Sequence, residues 1–259
     1  ELGLLKMDFL GLRTLTVIRD AETAVQKHHP EFSIQKLDYD DPETYKMLGQ
    51  GDTEGVFQLE SSGMKQVLVG LQPQNLEDVI ALISLYRPGP MDSIPTYLRN
   101  RHEPDKISYK TPQLAHILDV TNGCIVYQEQ VMQIFRELAG FSFGQADNVR
   151  RAMSKKKHAV MEAEREHFVH GCTEPGHECP GCVANGISEK VANEIYDEMS
   201  SFASYAFNKS HAACYAYVAF QTAYLKCHYP SEFMAALLTS VLDNTDKVIE
   251  YSGECARLG

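Results

Sequence analysis

The chain has 259 residues, 44% of them apolar and 23% charged, with a formal net charge of −11. That length supports one large domain or two smaller ones with a real core, and the acidity argues against a protein that coats nucleic acid without regard to sequence. No apolar run approaches the roughly 20 residues of a membrane span, no basic–apolar–small leader opens the chain, and seven cysteines are not a secreted disulfide framework; a cytoplasmic, reducing setting away from membranes is expected.

Helical periodicity dominates from the N-terminus onward. Leu15, Ile18, Ala21 and Val25 recur at helical spacing within Arg13 to His28. Asp41-Pro42 reads as an N-cap followed by proline at the first helical position, opening a short helix that ends near Gly49. Further helices are expected over Asn75 to Tyr86, Gln128 to Ala139, Gln145 to Ser154, Ala159 to Gly171, Ile187 to Phe202, Ser210 to His228 and Ser231 to Leu242, with a last one from about Asn244. Two short strands are expected at Gly55 to Leu59 and Cys124 to Tyr127. Arg87-Pro88-Gly89-Pro90 reads as a rigid turn, and Pro175 to Gly186 as a polar loop between helices. The fold class is mainly α, with one or two short β elements. The opening at Glu1, directly into apolar sequence, is expected of a piece of a longer protein.

Arg150-Arg151-Ala152-Met153-Ser154-Lys155-Lys156-Lys157 gathers five cations in eight residues of this acidic chain. Like charges repel, so such a cluster points either to a solvated helix face or to a polyanion, commonly phosphate. Arginine pairs suit bidentate phosphate recognition, and lysines act as point charges. At Tyr205-Ala206-Phe207-Asn208-Lys209-Ser210-His211, Asn208 or Ser210 can cap the following helix. Its N-terminus, with Lys209 and His211, would then be either an anion site or an ordinary cap with charged neighbours. Lys6 and Asp8 share a face if their segment is a strand, which fits a metal–phosphate site or a surface ion pair.

His170 to Cys182 holds three cysteines and two histidines within thirteen residues. Cys179 and Cys182 have the two-residue spacing of a thiolate pair on one metal. Cys172 and His177 complete a tetrahedral set for a structural Zn2+, with His170 as the alternative to His177. The same thiols also read as reduced surface residues or as a redox-active pair. Cys124, Cys214, Cys227 and Cys255 are expected in the core.

Together these segments closely resemble the alpha subunit of bacterial DNA polymerase III, the C-family replicative polymerases. The resemblance runs nearly end to end: Gly3 to Leu15, Val56 to Ser61 with Gly63-Met64, Tyr86 to Met91, Tyr127 to Ile134, Arg150 to Lys157, Tyr205 to Tyr217, Gln221 to Lys226 and Tyr229 to Ala236. It implies the C-terminal edge of a palm over residues 1–30 and a multi-helix fingers domain over 31–259. It implies Asp8 as one catalytic carboxylate for Mg2+, its two partners lying outside this chain, so that the segment alone is expected to be inactive. Lys6, Arg150, Arg151, Tyr205, Asn208, Lys209 and His211 are implied near the deoxynucleoside triphosphate or primer terminus. Primer–template DNA is the implied partner, with replisome subunits including the sliding clamp bound through regions outside this chain. The Cys-rich loop at 170–186 looks like an insertion, so its metal reading rests on local chemistry. The alternative reading is a non-catalytic, zinc-containing nucleic-acid-binding module.

Overall fold

The computed structural model describes residues 7, 11–155, 158–203 and 205–259. Among these the regular structure is helical: α1 (Arg13–Val25), α2 (Pro42–Gly49), α3 (Ser62–Leu71), α4 (Leu76–Leu85), α5 (Ile94–His102), α6 (Ala115–Leu118), α7 (Gln128–Ala139), α8 (Phe143–Ser154), α9 (His158–His170), α10 (Gly181–Ala184), α11 (Glu189–Ala203), α12 (Lys209–His228), α13 (Pro230–Ser240) and α14 (Thr245–Leu258). The expectation of a mainly α fold holds. The chain divides into two compact units, residues 1–76 with 217–259, and residues 77–216. No described helix is long and apolar enough to cross a membrane.

In the first unit α1 packs on α13, and α13 on α14. Val17, Ile18, Phe233, Met234, Leu237 and Tyr251 form its core. Leu15, expected on the apolar stripe of α1, is 52% exposed, and Val17 is buried instead. At about 100° per residue the stripe through Val17, Ile18, Ala21 and Val25 centres well away from Leu15. The start of α2 follows the sequence: Pro42 is its first residue and the Asp41 carboxylate accepts from the Thr44 amide at 2.9 Å. The strand expected at Gly55 to Leu59 is a run of turns. Gln58 takes φ of +64°, Val56 N–H bonds Thr53 O, and Leu59 N–H bonds Val56 O. Thr53 Oγ1 donates to Leu59 O at 2.6 Å, so local bonds satisfy a backbone whose composition favours a strand.

One polar network lies inside this unit. The side chain of Lys226 is 1% exposed, and its ammonium sits 2.9 Å from Asp52 Oδ1 and 2.8 Å from Glu254 Oε1. Arg257 bridges the same two carboxylates, and Lys65 pairs with Glu54. Asp52, Glu54 and Glu254 bring ligand atoms within 4.8 Å of one another, close enough to share a cation. Three protein cations already face the three carboxylates, so the set is charge-balanced without an ion.

The second unit is built on α7, α8, α9 and α11, which pack on one another. Phe135 is fully buried at their centre, with ring centroids 5.0 Å from Phe168, 5.3 Å from Phe141 and 6.0 Å from Tyr196. α8 starts two residues before its expected first position because Ser142 caps it: Ser142 Oγ accepts from the Gln145 amide, and Gln145 Oε1 accepts from the Ser142 amide at 2.7 Å. The second expected strand, Cys124 to Tyr127, has no neighbouring strand among the described residues. Gln130, 4% exposed, takes that role. Its Oε1 accepts from Val126 N and Tyr127 N at 2.9 Å each, and its Nε2 donates to Ile117 O and Thr121 Oγ1. What remains of β pairing at this segment is an isolated bridge between Tyr127 and Phe207.

Candidate functional site

That bridge brings two of the sequence motifs together. Gln128 N–H donates to Phe207 O at 3.0 Å, and Gln128 Nε2 to Ala206 O at 2.9 Å. The segment leading into α12 is thereby tied to the start of α7. Of the two expected cap candidates Asn208 caps α12, its Oδ1 accepting from the His211 amide at 2.9 Å, and Ser210 lies inside the helix. Glu129 closes the arrangement: its carboxylate accepts from Asn208 Nδ2 at 3.0 Å and from the Lys209 amide at 3.1 Å. A carboxylate therefore occupies the positive end of a 20-residue helix, where its charge is stabilised.

Arg150 reaches the same place from α8. Its Nη1 donates to Gln128 Oε1 at 3.0 Å, and its Nε and Nη2 both donate to Asp147 Oδ1, at 3.0 and 2.7 Å. Arg151 Nε lies 2.8 Å from the other oxygen of Asp147, with its side chain 65% exposed. The Arg150 guanidinium, with Arg151 beside it, holds the Asp147 carboxyl below the usual carboxylate range. Lys209 pairs with Glu77 at 2.9 Å and stands 5.3 Å over the Tyr127 ring. Arg150, Asn208, Glu129 and Asp147 line one cavity of about 500 Å³, with Met132 and Phe143 as its apolar wall. His211 is exposed one turn into α12, its ring 4.4 Å from Tyr215 and 5.2 Å from Phe207.

Tyr205 is placed by the Arg-Pro-Gly-Pro turn. Arg87 Nη2 donates to Tyr205 O at 2.9 Å, and its guanidinium lies 3.9 Å from the Phe207 ring centroid. The Tyr205 ring covers Gly89, where a Cβ would fall 2.4 Å from it. A lysine cannot stack and donate in this fork geometry. Replacing Arg87 by Ala or Lys should cost about 1–2 kcal/mol. It should also speed amide hydrogen exchange at Phe207 and Lys209, read by mass spectrometry, and unchanged exchange would show that Arg87 does not hold the segment.

The structure thus brings Arg150, Arg151, Asn208, Lys209 and His211 into one region and sets Tyr205 beside it. Lys6, Asp8, Lys156 and Lys157 lie outside the described residues. Gln128, Glu129, Asp147, Glu77 and Arg87 carry the site with them. Only Asp147 had a plain sequence signal, since it stands three and four residues before the two arginines on one helix.

No zinc site is shown at the Cys-rich loop. Among the described residues no three of Cys172, His177, Cys179, Cys182 and His170 bring ligand atoms within 4.8 Å of one another. His177 is exposed, Cys182 is fully buried in the first turn of α10, and the Cys179 thiol is directed to His167 O at 3.6 Å. Cys214, expected in the core, is exposed on α12.

Residues 14–176 match the bacterial DNA polymerase III alpha subunit finger domain. The chain is 50% identical over 264 residues to DNA polymerase III subunit alpha of Thermus aquaticus, covering all of this chain and 21% of that protein. It is 46% identical over 260 residues to that of Bacillus subtilis strain 168, and 44% identical over 260 residues to that of Staphylococcus aureus strain COL, again over its whole length and 22% and 24% of theirs. The chain spans about a fifth to a quarter of the length of these relatives.

Proposed function

We propose, from the premise that this chain belongs to the family of bacterial DNA polymerase III alpha subunits, that it forms the triphosphate-binding fingers of a DNA-directed DNA polymerase, with residues 1–30 as the edge of the palm. The observation that carries this reading is one cavity that Arg150 lines with Asn208. Beside it Arg151 pairs with Asp147, and Lys209 with Glu77. A triphosphate can replace those carboxylates oxygen for oxygen, and phosphoryl transfer needs such positioning and charge neutralisation more than covalent help. His211 and Tyr205 would meet the remaining phosphate and the sugar or base of the same ligand. Lys6 would face phosphate oxygens. Asp8 would join carboxylates from outside this chain in holding Mg2+, which would neutralise charge between the triphosphate and the primer terminus. Primer–template DNA is the proposed partner, and replisome contacts, including the sliding clamp, would fall to the rest of the polypeptide.

Titration of the chain with a deoxynucleoside triphosphate tests this. Weak binding that declines with added salt is expected, with Arg151→Ala weakening it by about tenfold or more. Absence of binding at low salt overturns the reading. So does tight DNA binding indifferent to triphosphate, which would favour a nucleic-acid-binding module.

A further inference from the structure

The cysteine loop hangs from a neck in which backbone meets backbone. Gly171 and Gly181 adopt φ of +88° and +77°. A Cβ on Gly181 would lie 2.3 Å from the Gly171 nitrogen. Just inside that neck Cys172 and Cys179 face each other in an isolated antiparallel bridge, exchanging two N–H···O bonds of 2.9 Å. A hydrogen-bonded antiparallel pair holds its Cα atoms about 5.5 Å apart with both side chains on one side. About 5.5–6 Å is also the commonest Cα separation across a disulfide. The shared side is the core: Cys179 is buried in the cluster that contains Phe168 and Val169, and Cys172, half-buried, packs against the same cluster. Residues 173–178, which the pair brackets, are exposed.

We propose that Cys172 and Cys179 are a thiol pair that closes to a reversible disulfide across the neck of this loop when the protein meets a low-molecular-weight disulfide. Cys172, the more accessible, attacks as its thiolate. The reagent's S–S bond breaks, one half leaves as a thiolate that takes up a proton, and a mixed disulfide remains on Cys172. The Cys179 thiolate then attacks the Cys172 sulfur, the protein disulfide forms, and the second half leaves. Two protein thiols have lost two electrons and two protons, and the reagent has gained both to become two thiols. Burial pushes the Cys179 thiol up, which lowers its thiolate fraction at neutral pH. Cys182 is a poor competitor, because it is fully buried and burial pushes its thiol up to about 12.

Oxidised glutathione added to the reduced, natively folded 259-residue chain tests the proposal by intact mass and peptide mapping. The expected product is lighter by about 2 Da, the two hydrogens lost in the exchange. It maps to a Cys172–Cys179 link, and dithiothreitol reverses it. Cys172→Ser and Cys179→Ser abolish it, and Cys182→Ser keeps it. The mapping is made on the wild-type chain, so it decides even if a serine variant fails to fold. A glutathione adduct that never resolves, a Cys179–Cys182 link in its place, or about one zinc per chain lost on either serine substitution would each overturn it.

Discussion

Replacing Lys226 by Met should cost about 3–5 kcal/mol of folding free energy, because it leaves the buried Glu254 carboxylate and the half-buried Asp52 carboxylate short of their shared cation. Asp52 and Glu254 both accept from the Lys226 ammonium, and the Glu254 side chain is 4% exposed. Arg257 stays, but its side chain is 52% exposed and it cannot neutralise two anions. The same network sets an acid limb. Hydrogen bonds from Arg257 and then Lys226 hold the Glu254 carboxyl down to about 2, against an ordinary value of 4.5. A folded-state pKa that lies low contributes stability above the unfolded value and loses it as pH falls through the folded one. The contribution of Glu254, about 3 kcal/mol, should therefore be complete above about pH 4.5 and vanish toward pH 2. Urea unfolding between pH 7 and pH 2 checks this. A Glu254→Gln chain that keeps the wild-type acid limb would show that the limb has another source.

Gly181→Ala should cost about 2–5 kcal/mol, the sum of a left-handed alanine and a forced overlap. The overlap is with backbone: the new Cβ would meet Gly171 N at 2.3 Å and His170 C at 2.7 Å, and neither can rotate away. Gly176→Ala in the same loop provides the contrast. Gly176 also has positive φ, +84°, but nothing lies within 4 Å of its Cβ position. It should lose only the conformational part, about 1–2 kcal/mol. Equal losses in the two variants, measured by denaturant unfolding, would mean that the neck is not packed as described.

How far the site was legible depends on how local each interaction is. The caps at Asp41 and Asn208 act within three residues, and both were readable from residue type and position. So was the presence of Arg150 and Arg151 together on α8. Glu129 was not legible as a partner of the α12 N-terminus, since 79 residues separate it from Asn208. Gln130 was equally silent: a glutamine in an apolar helix says nothing of four hydrogen bonds that replace a strand. The two strand expectations failed for that reason. β composition describes side chains that pack well in the extended form, but a strand exists only where a neighbour supplies its bonds.

The cysteines mark the same boundary. Spacing alone left a metal set and a redox pair both open, because either needs only thiols close in sequence. By itself the sequence determined most of the helices, the Asp41 cap, the basic pair and the family, since periodicity, capping and motif order are written within a few turns of chain. Only the tertiary structure decided that Glu129 meets the N-terminus of α12 and that Glu77 pairs with Lys209. It alone set Cys172 opposite Cys179. Those outcomes depend on which distant segments come within about 3 Å of one another, and a hydrogen bond or ion pair has no energy worth counting until they do.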